Sequence, residues 1–176
     1  MGHLAVTAIG RDRPGIVSGL TGVLRDLGGN LEDVSSTILR GHFAMMFVVD
    51  AQPDTHADLI REALTAAAEP LGVHVTVSDV EAGTPDRPAA THVLSVYGAD
   101  HPGIVASFTG RMAEKGVNIT DLSCRLTGAE KPVYVMVAEV ALPAGMDAVA
   151  LSVELEALAS DVGVDATFAP IEVETL

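Results

Sequence analysis

Aromatic, basic and sulfur-bearing residues are scarce in this sequence of 176 residues. There is no Trp, and Tyr and Phe together make up 3% of the chain, so the core is left to Val, Leu, Ala, Ile and Met. Lys and Arg number 10 against 24 Asp and Glu, a formal net charge of −14. An acidic surface without a basic stripe repels phosphate backbones, which argues against direct nucleic-acid binding. The single cysteine, Cys124, excludes an intramolecular disulfide and fits a reducing compartment. No apolar run approaches the ~18 residues of a membrane span. The opening residues Met1 to Ala5 lack the basic and long apolar regions of a secretion signal. These absences predict a soluble, cytoplasmic protein with no membrane partner. What is abundant completes the picture: 48% hydrophobic and 19% charged residues belong to a folded chain, not to a disordered one or a coiled coil.

The chain repeats itself. Gly10-Arg11-Asp12-Arg13-Pro14-Gly15-Ile16-Val17 returns 88 residues later as Gly98-Ala99-Asp100-His101-Pro102-Gly103-Ile104-Val105. The same shift carries Thr21-Gly22 onto Thr109-Gly110, Gly28 onto Gly116, Asn30 onto Asn118, Asp33 onto Asp121 and Ser35 onto Ser123. Such ungapped self-similarity is the mark of a duplicated unit. Between the copies, Ala82 to Ala90 has two prolines, a glycine and no apolar periodicity, and reads as a linker. The expected organisation is domain 1 over 1–81, linker over 82–90 and domain 2 over 91–176. A unit this small buries only about 60% of its unfolded surface, so packing on a second unit or a second chain is expected.

Each copy spells the same elements. His3 to Ile9 is strand-like. Ile16, Leu20, Val23, Leu24 and Leu27 then fall at the 3.6-residue period of an amphipathic helix, which Gly28-Gly29 ends. Leu31 to Leu39 alternates as a half-buried strand, Arg40-Gly41-His42 turns, and Phe43 to Val49 is a strongly apolar strand. Asp54 or Thr55 caps a second helix through Leu71, and Val73, Val75 and Val77 mark a last strand. The second copy repeats the order over 92–97, 104–115, 118–126, 133–142, 146–162 and 164–171. Strand, helix, strand, strand, helix, strand is the split βαβ pattern. The fold class is α+β: two ferredoxin-like βαββαβ units, each an antiparallel sheet with its helices on one face.

The repeated loop has a chemistry of its own. Pro14 disfavours helix at Arg13, so the helix should begin near Pro14 or Gly15. Its first N–H groups are unpaired and carry the positive end of the dipole, which suits a carboxylate. Gly15 has no side chain to block the approach. Asp12 can accept hydrogen bonds from an ammonium, and the Asn30 amide can bind either group. Asp12, Pro14, Gly15, Ile16 and Asn30, with Asp100, Pro102, Gly103, Ile104 and Asn118, are therefore the candidate ligand-binding residues for a free α-amino acid. Structural alternatives stand beside each. Asp12 can cap the helix, Pro-Gly can be only a turn, and Asn30 can serve to tolerate left-handed backbone after Gly29. Arg13 against His101 and Arg11 against Ala99 are places where the copies differ, so one site is open to being specialised or empty.

Other signals lead nowhere chemical. None of the six histidines forms a His-x-x-x-His pair or sits at ligand spacing from Cys124, so no metal is expected. His101, in the second loop, is a candidate pH-sensitive contact. Cys124, within a strand, reads as a buried small residue. Gly15, Gly19 and Gly22 lack the order of a nucleotide loop, and no nucleophile–base or acid–base set recurs in both copies. Neither a cofactor nor catalysis is expected.

The unit order, with Gly-x-Asp-x-Pro-Gly-Ile-Val after the first strand and Gly-x-Asn-Ile/Leu opening the second, resembles the ACT domain in both copies. Two such domains at this length resemble the glycine cleavage system transcriptional repressor family. The resemblance implies amino-acid sensing at interfaces between paired domains and no catalysis. It places Asp12 opposite Asn118, and Asp100 opposite Asn30. The expected function is a non-enzymatic regulator, a homodimer, that binds a glycine- or serine-class amino acid and signals through a regulatory protein partner, acting on transcription indirectly. The alternative is a ligand-free interaction module that pairs by a sheet edge or a helix face.

Overall fold

Leu4, Val6 and Ala8 alternate with more exposed neighbours and are themselves wholly buried, which makes Gly2–Arg11 a strand, β1, with one face in a core. The computed structural model describes residues 2–51, 57–80, 88–128 and 132–171. The chain divides into two units, Met1–Pro85 and Asp86–Leu176. In the first, β1 is followed by α1 (Ile16–Asp26), β2 (Asn30–Leu39), β3 (His42–Ala51), α2 (Ala57–Leu71) and β4 (Val73–Val80). In the second come β5 (His92–Gly98), α3 (Ile104–Glu114), β6 (Asn118–Thr127), β7 (Val133–Ala141), α4 (Ala148–Val162) and β8 (Val164–Pro170). Both sheets are antiparallel, ordered β2-β3-β1-β4 and β6-β7-β5-β8. This is the ferredoxin-like arrangement expected from the element order.

Each unit has its own core. In the first, Ile16, Leu20 and Leu24 of α1 and Ile60, Leu64 and Ala68 of α2 recur at helical spacing and meet Leu4, Val6, Phe47 and Val49 of the sheet. In the second, Ile104, Phe108 and Met112 of α3 and Leu151, Leu155 and Ala159 of α4 meet Leu94, Val96, Met136 and Ala138. Burying one such side chain stabilises by about 1.5–3 kcal/mol. On the opposite sheet face of the first unit, Ile9 and Met46 are more than half exposed.

Several expectations need correcting. The second strand is not half-buried: every residue from Asn30 to Leu39 is exposed, because β2 is the outermost strand and its sides lie beyond the helices. Cys124 is exposed for the same reason, lying on the outermost β6. α1 begins at Ile16, with Gly15 as its N-cap, and α4 begins at Ala148, where the Asp147 carboxylate accepts from the amides of Val149 and Ala150 at 3.0 and 3.1 Å. The β2–β3 turn is Arg40-Gly41 alone. Both residues have positive φ (49° and 80°), as a two-residue hairpin of this hand demands. The expected cap at Asp54 or Thr55, and positions 82–87 of the expected linker, lie outside the described residues.

Candidate functional site

The repeated glycines explain themselves first. A Cβ on Gly10 would stand 2.6 Å from the Gly72 carbonyl oxygen, and one on Gly98 would stand 2.9 Å from Val164, so the last strand of each unit closes in only because these residues are glycine. Gly15 and Gly103 obey a different constraint. A Cβ there would meet nothing within 4 Å, so open approach is not what demands glycine. Their backbones are left-handed, φ 97° and 104°, and turn the chain from the Asp-x-Pro loop into the helix.

That turn leaves both helix N-termini bare. No side chain of the N-cap residue closes either one, and neither first turn holds an acidic residue. The hydroxyl of Ser18 donates instead to the Gly15 carbonyl at 3.1 Å, and that of Thr21 to the Val17 carbonyl at 2.9 Å. The Asp12 backbone N–H is tied to the Gly41 carbonyl of the β2–β3 turn at 3.0 Å, which steadies the loop, while among the described residues no hydrogen bond engages its carboxylate. The capping alternative for Asp12 is thereby removed. Asp12, Arg13, Pro14, Gly15 and Ile16 line an open pocket of about 580 Å³, floored by Ile38 and Phe43, with Thr21 beside them.

The second loop keeps the geometry and changes the chemistry. His101 Nδ1 lies 3.1 Å from the Pro102 carbonyl, so in the neutral ring Nδ1 donates and Nε2 is an acceptor. Nε2 is buried and, among the described residues, has no hydrogen-bond partner. Tyr134, opposite Leu126 in register, takes the place of Phe43, which is opposite Ile38. Its phenol is pushed up to about 12, chiefly by burial, then by the neighbouring Cys124 thiol, then by the negative charge of Asp100.

Asn30 and Asn118 lie elsewhere. Neither has positive φ, so tolerance of left-handed backbone is not their purpose. Asn30 pairs with Asp50, which pairs with His3 at the beginning of β1, whereas Asp12 follows the end of β1. Nine residues of strand separate the two ends, about 30 Å at ~3.3 Å per residue. Within one unit the loop and the asparagine therefore never meet. The same holds for Asp100 and Asn118, since Asn118 pairs with Ala141 and Gly98 pairs with Tyr134, at opposite ends of β7.

Sequence reading missed Ile38, Phe43 and Tyr134. The 88-residue shift would have carried Phe43 onto an unrelated position, because the second hairpin is longer: Leu39 pairs with His42, but Thr127 pairs with Val133. Among the described residues no group of three His, Cys, Asp or Glu side chains could hold a metal, and no helix is long and apolar enough to cross a membrane.

Comparison with known proteins agrees with this fold. The ACT domain family model matches residues 2–78 and 91–169. A UPF0237 protein of Methanopyrus kandleri is 47% identical over 78 residues, 44% of this chain and 87% of its own. A protein of unknown function from Galdieria sulphuraria superposes with a TM-score of 0.78 at 28% identity, covering 97% of this chain and 99% of that one. A candidate glycine cleavage system transcriptional repressor superposes at 0.75 over 98% of both chains and shares the fold at 19% identity.

Proposed function

The chain belongs to the ACT domain family, and from that premise we propose that it is a non-enzymatic regulator that binds a free amino acid of the glycine or serine class. One observation supports this above the others: two equivalent helix N-termini, each introduced by a left-handed glycine, each uncapped, each beside an aspartate. Amides at a helix N-terminus attract a carboxylate, and the aspartate offers the opposite charge to an ammonium. Because loop and asparagine lie at opposite ends of each unit, a ligand held by both needs two modules. We take these as 1–81 and 91–176 joined by 82–90, with Asp12 set opposite Asn118 and Asp100 opposite Asn30, within one chain or across a homodimer.

Ligand binding would favour one arrangement of the modules, by as much as its affinities for the two arrangements differ. A regulatory protein partner in the cytoplasm reads that arrangement, and any effect on transcription is indirect, since the formal net charge of −14 opposes DNA. Titration calorimetry with the twenty amino acids tests the reading. Binding of one or a few small members supports it, and no heat with any of them at millimolar concentration removes it.

The open edge of β2 favours a second reading, a module that pairs with a partner and needs no ligand. Val34, Ile38 and Leu39 are 53%, 57% and 65% exposed on an outermost strand. A pull-down with and without added amino acids separates the two, because only a sensor changes its partner with the ligand.

A further inference from the structure

At the end of the first sheet away from the loop, three polar residues form a row across three strands. Asn30 of β2 pairs with Asp50 of β3, and Asp50 pairs with His3 of β1. Residues directly opposite share a sheet face, their Cβ atoms about 4.5–5.5 Å apart. The register slips between Leu31 and Asp33, and the bulge residue Glu32 reaches His3, with Oε2 3.2 Å from Nε2. A carboxylate only accepts, so Nε2 carries the proton, and in the neutral ring Nδ1 keeps a bare lone pair. That Nδ1 is buried and, among the described residues, has no hydrogen-bond partner, and the same is true of Oδ1 of Asp50.

Buried polar atoms almost always find partners. Two acceptors on adjacent strands, both lacking a donor, suit a group that brings several N–H bonds and no lone pairs. An ammonium is such a group, and the Asn30 amide oxygen supplies a third acceptor for its third hydrogen. The row lies close to the surface, with the His3 side chain 18% exposed and that of Glu32 41%.

The geometry points to His3, Asp50 and Asn30 as the subsite for the ammonium of the bound amino acid, with Glu32 as the positioning residue that sets the His3 tautomer. This deepens the sensor reading and rests on it. The second unit has no counterpart. Asn118 pairs with Ala141, and the positions of His3 and Glu32 are taken by Thr91 and Thr120. Their hydroxyls already donate to the carbonyls of Val140 and Glu139, at 3.3 and 3.1 Å. The two asparagine ends are therefore unequal, with one strong ammonium subsite per chain, at Asn30.

Calorimetry on the full chain tests this with free amino acids and their N-acetyl derivatives, using wild type, Asp50→Asn and Glu32→Leu. The free amino acid should bind at least tenfold more tightly than its N-acetyl form, with one tight site per chain. Asp50→Asn should weaken it tenfold or more, and Glu32→Leu, which removes the acceptor for His3 Nε2, several-fold. Glu32 is partly exposed, so its variant decides the matter even if Asp50→Asn does not fold. Wild-type binding with both variants within twofold overturns the subsite and leaves the sensor reading standing, as do two equal sites per chain. No binding of any amino acid to the wild type overturns both.

Discussion

Gly15 and Gly103, 88 positions apart, enter their helices through nearly the same left-handed backbone, at φ 97° and ψ −9° and at φ 104° and ψ −17°. The duplication has preserved a conformation here as well as a residue type. Neither site is crowded, so the cost of a side chain at either one is purely that of the backbone. Gly15→Ala and Gly103→Ala should each destabilise the protein by about 1–2 kcal/mol. Denaturant unfolding checks this. A loss below a few tenths of a kcal/mol would show that the loop relaxes into another conformation.

Asp100→Ala should weaken amino-acid binding at the tight site by about 1–3 kcal/mol, the range for losing a favourable contact with a charged group, and Asp12→Ala should act on the weaker site alone. Neither side chain caps its helix, so the melting temperature should barely move. Calorimetry beside a thermal melt separates the two effects. Unchanged affinity in both variants would reject the loop as the binding site.

Tyr134 should hold its proton unusually late. Ultraviolet titration of the phenols should show a component near 12 that vanishes in Tyr134→Phe and moves down in Cys124→Ala. An unfolded tyrosine ionises near 10, so between pH 10 and about 12 the folded state retains a proton that the unfolded state has released. The stabilising contribution is complete below pH 10 and is lost as pH climbs through that window. A late component that survives in Tyr134→Phe would belong to another group.

Lys115 Nζ lies 2.6 Å from Glu154 Oε1, and Arg111 Nη1 is 3.5 Å from the other carboxylate oxygen. The Lys115 hydrogen bond holds the Glu154 carboxyl below its ordinary value. Lys115→Met should raise it toward that of a free glutamate, as carbon-detected NMR titration would record. With the folded value depressed, the ion pair contributes at neutral pH and is lost as pH falls through it. Both partners are exposed enough that added salt should shrink the effect. No movement of the Glu154 titration in Lys115→Met would disprove the pairing in solution.

Local signals account for much of this protein. Apolar spacing placed α1 and α3, the valines at 73, 75 and 77 marked β4, and the doubled Pro-Gly loop announced both the duplication and the helix N-termini. Those features depend on neighbours a few residues apart, whose periodicity is written along the chain. Burial of Cys124 and of the alternating residues of β2 was misread, because alternation tells which side chains share a face but not whether a helix covers it. Pairing across strands was equally hidden. That Asn30 stands beside Asp50 and His3, about 30 Å from Asp12, follows from register and strand order, and these are set when distant segments pack around a common core.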